Sequence, residues 1–195
     1  SPISIPLGSS NSNTTYLWTA TTVPNNTNIS GFISSGSTSE IPSQTLINNG
    51  NIPGNVVFTV TPVLNNCTGD PVDVLTVIVN PTPIITSQPV SSDICLDGVA
   101  TQLAVVTQNG VGVPTYQWYS NTTNNNTTGT LIPGATTSTY DPPTNIVGVF
   151  YYYVLISFDG GCDDISSDVA IVTIAQEPVA VANNPIHLIC LDGSP

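Results

Sequence analysis

The chain has 195 residues with twelve acidic side chains and neither Lys nor Arg, a net charge of −12. Binding to nucleic-acid phosphate or to anionic lipid runs on Lys and Arg, so both are excluded, as are Lys–Asn crosslinks, Lys or Arg salt bridges and cleavage by trypsin. Apolar residues make up 39%, so stability has to come from their burial, from backbone hydrogen bonds and from any disulfides. No apolar run reaches the ~18 residues of a transmembrane helix, and no cationic stretch followed by an apolar one reads as a signal peptide. Neither membrane insertion nor a leader is expected within this segment.

The predicted elements begin with Ile3 to Leu7, an alternating strand, followed by a polar Gly/Ser/Asn turn. Thr15 to Ala20 is the next strand, with Tyr16 and Trp18 on one face. Residues 21–55 read as loop, punctuated by Pro24, Gly31, Gly36, Gly50 and Gly54, with one apolar patch at Phe32-Ile33. Val56 to Thr61 is almost wholly β-branched or aromatic and predicts a strand. A turn over Asn65 to Asp70 leads into the strand Val74 to Val79, and Asn80-Pro81-Thr82-Pro83 is a stiff linker.

Beyond the linker the scheme repeats. Ala100 to Thr107 alternates, and Thr115 to Ser120 carries Tyr116 and Trp118. Asn121 to Thr128 is a polar loop without an apolar anchor, and short strands are expected at Leu131–Ala135 and Ser138–Tyr140. Val149 to Phe158 is apolar on both faces, as a covered central strand would be, and Val169 to Ala175 returns the chain after an Asp-Gly-Gly turn. Strand-length runs separated by turn chemistry, with no helical period, give the fold class: all-β, two Ig-like sandwiches in series.

The repeat is legible to the letter. Ile94-Cys95-Leu96-Asp97-Gly98 returns as Ile189-Cys190-Leu191-Asp192-Gly193, 95 positions on, and Cys67 with Cys162 and Pro83 with Pro178 keep the same step. A fixed period of this size marks a tandem array. The expected domains are 1–82 and 83–177, with 178–195 a linker and the first strand of a third module. Overlaying Ser194-Pro195 on Ser1-Pro2 extends the register from one unit into the next.

Tyr116-Gln117-Trp118-Tyr119-Ser120-Asn121, Leu131 to Thr136, Thr139-Tyr140 and Gly148 before Tyr151-Tyr152-Tyr153 resemble the Ig-like repeats of giant Bacteroidetes surface proteins. Tyr16 to Ala20, Ile29 to Phe32, and Phe58 to Pro62 ahead of Asn66 to Gly69 resemble their PKD-like companion. The resemblance implies an extracellular, cell-surface adhesin exported by type IX secretion, of the gliding-motility kind. Unlike the usual Ig pattern, Cys162 follows the tyrosine-bearing strand instead of lying in it.

The candidate sites each have two readings. Trp18 and Trp118, with Tyr116, Tyr151 and Tyr153, are expected in the cores, the alternative being platforms that stack surface polysaccharide. Cys95 and Cys162 are expected to bond within the second module, closing a loop of 67 positions worth ~4 kcal/mol on the chain-entropy account. Cys67 and Cys190 are expected to bond to adjacent repeat units, so the expected partners are copies of the same repeat, head to tail. Asp93, Asp97, Asp159, Asp163 and Asp164 flank the cysteines. Gathered together they would suit Ca²⁺; spread apart they are solvated loop carboxylates. No other cofactor is expected. His187, the single histidine, has no nucleophile or orienting acid beside it in sequence, and no enzyme activity is expected. Sequons at Asn13, Asn28, Asn66 and Asn121 are compositional. The leading reading is a structural repeat of an extracellular adhesin or filament stalk; the alternative is a carbohydrate-binding sandwich of a secreted protein.

Overall fold

The computed structural model describes residues 3–24, 26–160 and 163–181. Among them all regular structure is β. The first module contains β1 (Ile3–Pro6), β2 (Thr15–Val23), β3 (Ile29–Ser30), β4 (Ser35–Gly36), β5 (Glu40–Gln44), β6 (Ile47–Asn48), β7 (Gly54–Leu64), β8 (Cys67–Thr68) and β9 (Val72–Val79). The second contains β10 (Ile84–Ser87), β11 (Ser92–Cys95), β12 (Leu103–Ala104), β13 (Val106–Gln108), β14 (Thr115–Asn121), β15 (Thr130–Leu131), β16 (Thr139–Tyr140), β17 (Gly148–Ser157), β18 (Ile165–Ser166) and β19 (Ala170–Ala175).

Both modules are built on one plan. Strict alternation along β2 turns Tyr16, Trp18 and Ala20 inward, and alternation along β7 does the same for Val56, Phe58 and Val60. β2 pairs antiparallel with β7, setting Trp18 opposite Val60. β14 pairs antiparallel with β17, setting Trp118 opposite Val154. The returning strand takes the other edge in each case: β9 beside β7, β19 beside β17. Small sheets complete the sandwiches, β1–β5 and β3–β6 in the first, β10–β13 and β12–β16 in the second. Both tryptophans are essentially fully buried, and each indole N–H is satisfied, by Thr38 Oγ1 at 3.2 Å and by the Thr137 carbonyl at 2.9 Å. Gly36 makes the first of these packings possible, because a Cβ there would stand 2.4 Å from the Trp18 ring.

Several expected loops are ordered by polar groups that hydrophobic periodicity does not register. β5 contains Pro42 and pairs with β1, the kind of edge position where a missing N–H is tolerated. The Asn-rich loop after β14 has no apolar anchor, yet Asn121 donates to the Asn125 and Thr128 carbonyls, Asn125 Oδ1 accepts from the Thr127 and Thr128 amides, and Asn126 donates to the Ser167 carbonyl at 2.8 Å.

The modules differ at one edge. β19 is paired on both sides: antiparallel to β17, and parallel to β11 from Ser92↔Val172 through Cys95↔Ala175. Among the described residues β9 is paired with β7 alone. The inward side chains report the difference. Ala170 and Val172 are fully buried under the partly buried Ile94 and Leu96, whereas the equivalent Leu75 and Val77 are only half-buried.

Candidate functional site

Each module has two poles, and the motif at 94–98 lies at one of them. In the second, Cys95 pairs with Ala175, and Ile174 pairs with Gly148, so the motif stands where the chain leaves the module. There Gly98 N donates to the Cys95 carbonyl at 2.9 Å and Leu96 N to the Ala175 carbonyl at 2.9 Å, while Asp97 takes a positive φ of 60°. A Cβ on Gly98 would meet the Cys95 carbonyl at 2.8 Å. The motif at 94–98 is thus a strand end closed by a tight turn: Ile94 and Leu96 pack on the core, and Cys95 is exposed.

The opposite pole receives the linker. Asn80 Nδ2 donates to the Gly160 carbonyl at 2.6 Å, and Gly160 N donates to Val111 O at 3.1 Å. On the first-module side the buried Asn48 holds the linker's approach, its Nδ2 donating to Val79 O at 2.9 Å and to Ile52 O at 2.8 Å, while Thr82 N donates to Asn48 O at 3.4 Å. Pro81 is fully buried between these contacts. Asn48 carries no sequence signal, since it is one Asn among many; only its burial reveals it.

Cys67 and Cys95 are exposed free thiols. Their expected partners, Cys162 and Cys190, lie outside the described residues, as does His187. The geometry nevertheless bears on the pairing expected inside the second module. Asp159-Gly160 and Asp163-Asp164, on either side of Cys162, stand at the pole where the central strand ends at Ser157, with Ile165 opposite Ile156. Cys95 stands at the other pole, across the ten residues of β17, a span of ~33 Å. A disulfide requires Cα atoms within about 7 Å, so this arrangement does not bring Cys95 to that turn. The equal spacing of the cysteines suggests a closed pair; Cys162 itself lies outside the described residues.

The carboxylates divide in the same way. Asp93 and Asp97 lie at one pole, Asp159, Asp163 and Asp164 at the other, all exposed. Among the described residues no three of His, Cys, Asp and Glu approach closely enough to hold a metal ion, so the five do not form the gathered Ca²⁺ set.

The expected core tyrosines sort by face. Tyr116 is partly buried against the core, whereas Tyr151 is half-buried outside it. Tyr152 is the core member of the triplet, 5.5 Å from Tyr140, which in turn stacks 5.9 Å from Trp118. Burial, with Tyr140 adding to it, pushes the Tyr152 phenol up to about 12. Tyr153 is buried on the other face of the sheet, stacked on Tyr119 at 5.1 Å, and burial raises its phenol as well. Beside this pair runs a shallow groove of ≈ 550 Å³ lined by Asn126, Thr127, Thr128 and Gly129. It holds no acid–base pair and no nucleophile with a base.

Comparison with known proteins divides the chain at the linker. No curated protein matches it significantly. Among solved structures, extracellular domains 3–5 of Drosophila OTK are similar at 15% identity and a TM-score of 0.32, over 89% of this chain and 59% of that one; the chain spans about three-fifths of that structure. At that score the likeness carries no weight for the fold, which rests on the strand pairing. Residues 5–83 match the PKD-like domain, and residues 86–176 match a domain of unknown function (DUF8696).

Proposed function

We propose that the chain is a load-bearing repeat in the stalk of a long extracellular adhesin or surface filament. One observation carries the reading: the chain enters and leaves the second module at opposite poles. Ile84 enters paired with Gln108, at the end that carries Gly160, and Ala175 leaves beside Cys95 and Gly148. Tension applied through the linkers therefore runs along the sandwich and shears long ladders, where many hydrogen bonds load together. The PKD-like match supports the same reading, and export to the cell surface belongs to it. Pulling tandem copies between handles should give evenly spaced rupture events, each lengthening the chain by about 300 Å for ~90 residues less the folded span. Unfolding without a force peak would sink the stalk reading. The Tyr119–Tyr153 groove favours a second reading, a polysaccharide contact; retention of the chain on a glycan array, lost in Tyr119→Ala, would establish that instead.

A further inference from the structure

We propose that Asn109-Gly110 is a self-modifying site, at which loss of the Asn109 side-chain amide as ammonia places a carboxylate beneath the joint between the two modules.

The chain contains two Asn-Gly pairs, Asn49-Gly50 and Asn109-Gly110, and both lie near groups that hold the linker, Asn48 and Gly160. In such a pair the glycine's backbone nitrogen can attack the asparagine side chain, because no Cβ on the glycine hinders the approach. The N–H gives up its proton, a bond forms from the glycine nitrogen to Asn Cγ, and the Cγ–Nδ2 bond breaks. The proton leaves with the side-chain nitrogen as ammonia. One water then opens the cyclic imide to aspartate, or to isoaspartate, in which the main chain runs through the side-chain carbonyl.

The fold separates the two pairs. Gly50 N donates to Asn48 Oδ1 at 2.9 Å, and Asn49 N donates to the Asn28 carbonyl at 2.9 Å. Asn48 is itself buried and fixed by the Val79 and Ile52 carbonyls, so the nucleophile of the first pair is held protonated. Among the described residues no acceptor holds the Gly110 N–H. The turn itself selects the residues of this second pair. Asn109 has a φ of 71°, in the left-handed region that Asn enters more readily than other side chains. A Cβ on Gly110 would stand 1.9 Å from the Phe158 ring, so glycine alone fits there.

The product does not suit its surroundings. Asn109 Oδ1 is buried and accepts no hydrogen bond among the described residues. A carboxylate at that place would be desolvated, and the chain has no Lys or Arg to answer it. A Cβ on Gly112 would stand 3.2 Å from Asp159 Cβ, so the loop after Asn109 already runs beside one acidic side chain, and like charges disfavour each other. Val111 in that loop accepts from Gly160 N, and the Gly160 carbonyl accepts from Asn80 Nδ2 of the linker. A loop pushed off this turn would take the hold on the linker with it.

This inference is independent of the stalk reading. The full chain, kept folded in mild alkali, can be sampled over time and its chymotryptic peptides weighed. Asn109 should convert about five- to tenfold faster than Asn49, the rate equivalent of the hydrogen bond that Gly50 N must first release. In urea, where neither pair is held, the two rates should converge. Hydrogen exchange at the Gly160 amide should rise with the fraction converted, and Asn109→Asp should show that rise from the start. Asn109→Gly accepts the positive φ and has no side-chain amide, so it should keep Gly160 protected on ageing. Asn49 converting as fast as Asn109 in the folded chain, a difference that persists in urea, unchanged Gly160 exchange in Asn109→Asp, or loss of protection on ageing of Asn109→Gly would each overturn the proposal.

Discussion

The two modules share a plan and, among the described residues, differ in the pairing of their last strand. Trp18 opposite Val60 and Trp118 opposite Val154 occupy one position, as do Phe58 and Tyr152. Among the described residues, β9 beside the first has one partner and β19 beside the second has two. The consequence is a core sealed to the sheet edge at Ala170 and Val172 but left half-open at Leu75 and Val77. Among the described residues, the second module carries in addition the four-residue strand β11 and the turn that ends it. A sandwich of this size depends on such increments, because its net stability is a small difference between large terms.

The comparison can be broken most forcefully at its shared centre. Trp118→Ala should destabilise the second module by roughly 3–5 kcal/mol, and Trp18→Ala the first by a similar amount. The two tryptophans let each be followed separately, since replacing one by Phe leaves fluorescence to report the other module. Equal losses would show that the shared position carries equal weight despite the different edges. A loss well under 1 kcal/mol at either site would contradict the core assignment.

A smaller effect isolates the edge itself. Ile94→Ala removes the partly buried side chain that β11 lays on the core, and should cost about 2 kcal/mol. Hydrogen exchange should then show β19 losing protection toward the level of β9. Unchanged protection would mean that the ladder hydrogen bonds, not Ile94, hold β11 in place.

The turn after β11 offers a finer cut. In Gly98→Ala the new Cβ meets the Cys95 carbonyl at 2.8 Å, so the backbone has to shift, at a cost of roughly 1 kcal/mol. That should lower the second module's Tm by about 4–8 °C and leave the first unmoved. A rise in Tm would show that the turn yields freely.

A separate effect appears in alkali. Tyr152 is raised to about 12 by burial and by Tyr140, while in the unfolded chain it titrates near 10. Between these values the unfolded chain has lost a proton that the folded one keeps, so the contribution is fully present below pH 10 and falls away as pH rises toward 12. The first module has Phe58 at that position and nothing there to ionise. Urea midpoints measured across this range should fall more steeply for the second module, and Tyr152→Phe should flatten the fall. Parallel slopes in the two modules would refute the asymmetry.

Much of this is written in the sequence because it is local or periodic. Alternation along β2, β7 and β17 is a property of neighbouring residues, so strands, fold class and the burial of Trp18 and Trp118 can be read directly. The 95-residue step identifies the motif and joins Pro83 to Pro178. Charge by itself excludes phosphate and lipid partners, since a missing cation is missing in every conformation. The tertiary structure decided what depends on distance across the fold. Cys95 and the residues flanking Cys162 are separated because β17 runs its full length between them, and chain spacing does not encode the direction of an intervening strand. The aspartates fall to opposite poles for the same reason. Tyr152 joins Trp118 while Tyr153 is buried on the opposite face because one residue of register reverses every side chain on a strand, and a run of three tyrosines hides that phase. Asn48 became a bracket for the linker only when folding removed it from water, where its amide had to find protein partners. The parallel pairing of β11 with β19 joins segments about eighty residues apart, which no local pattern records.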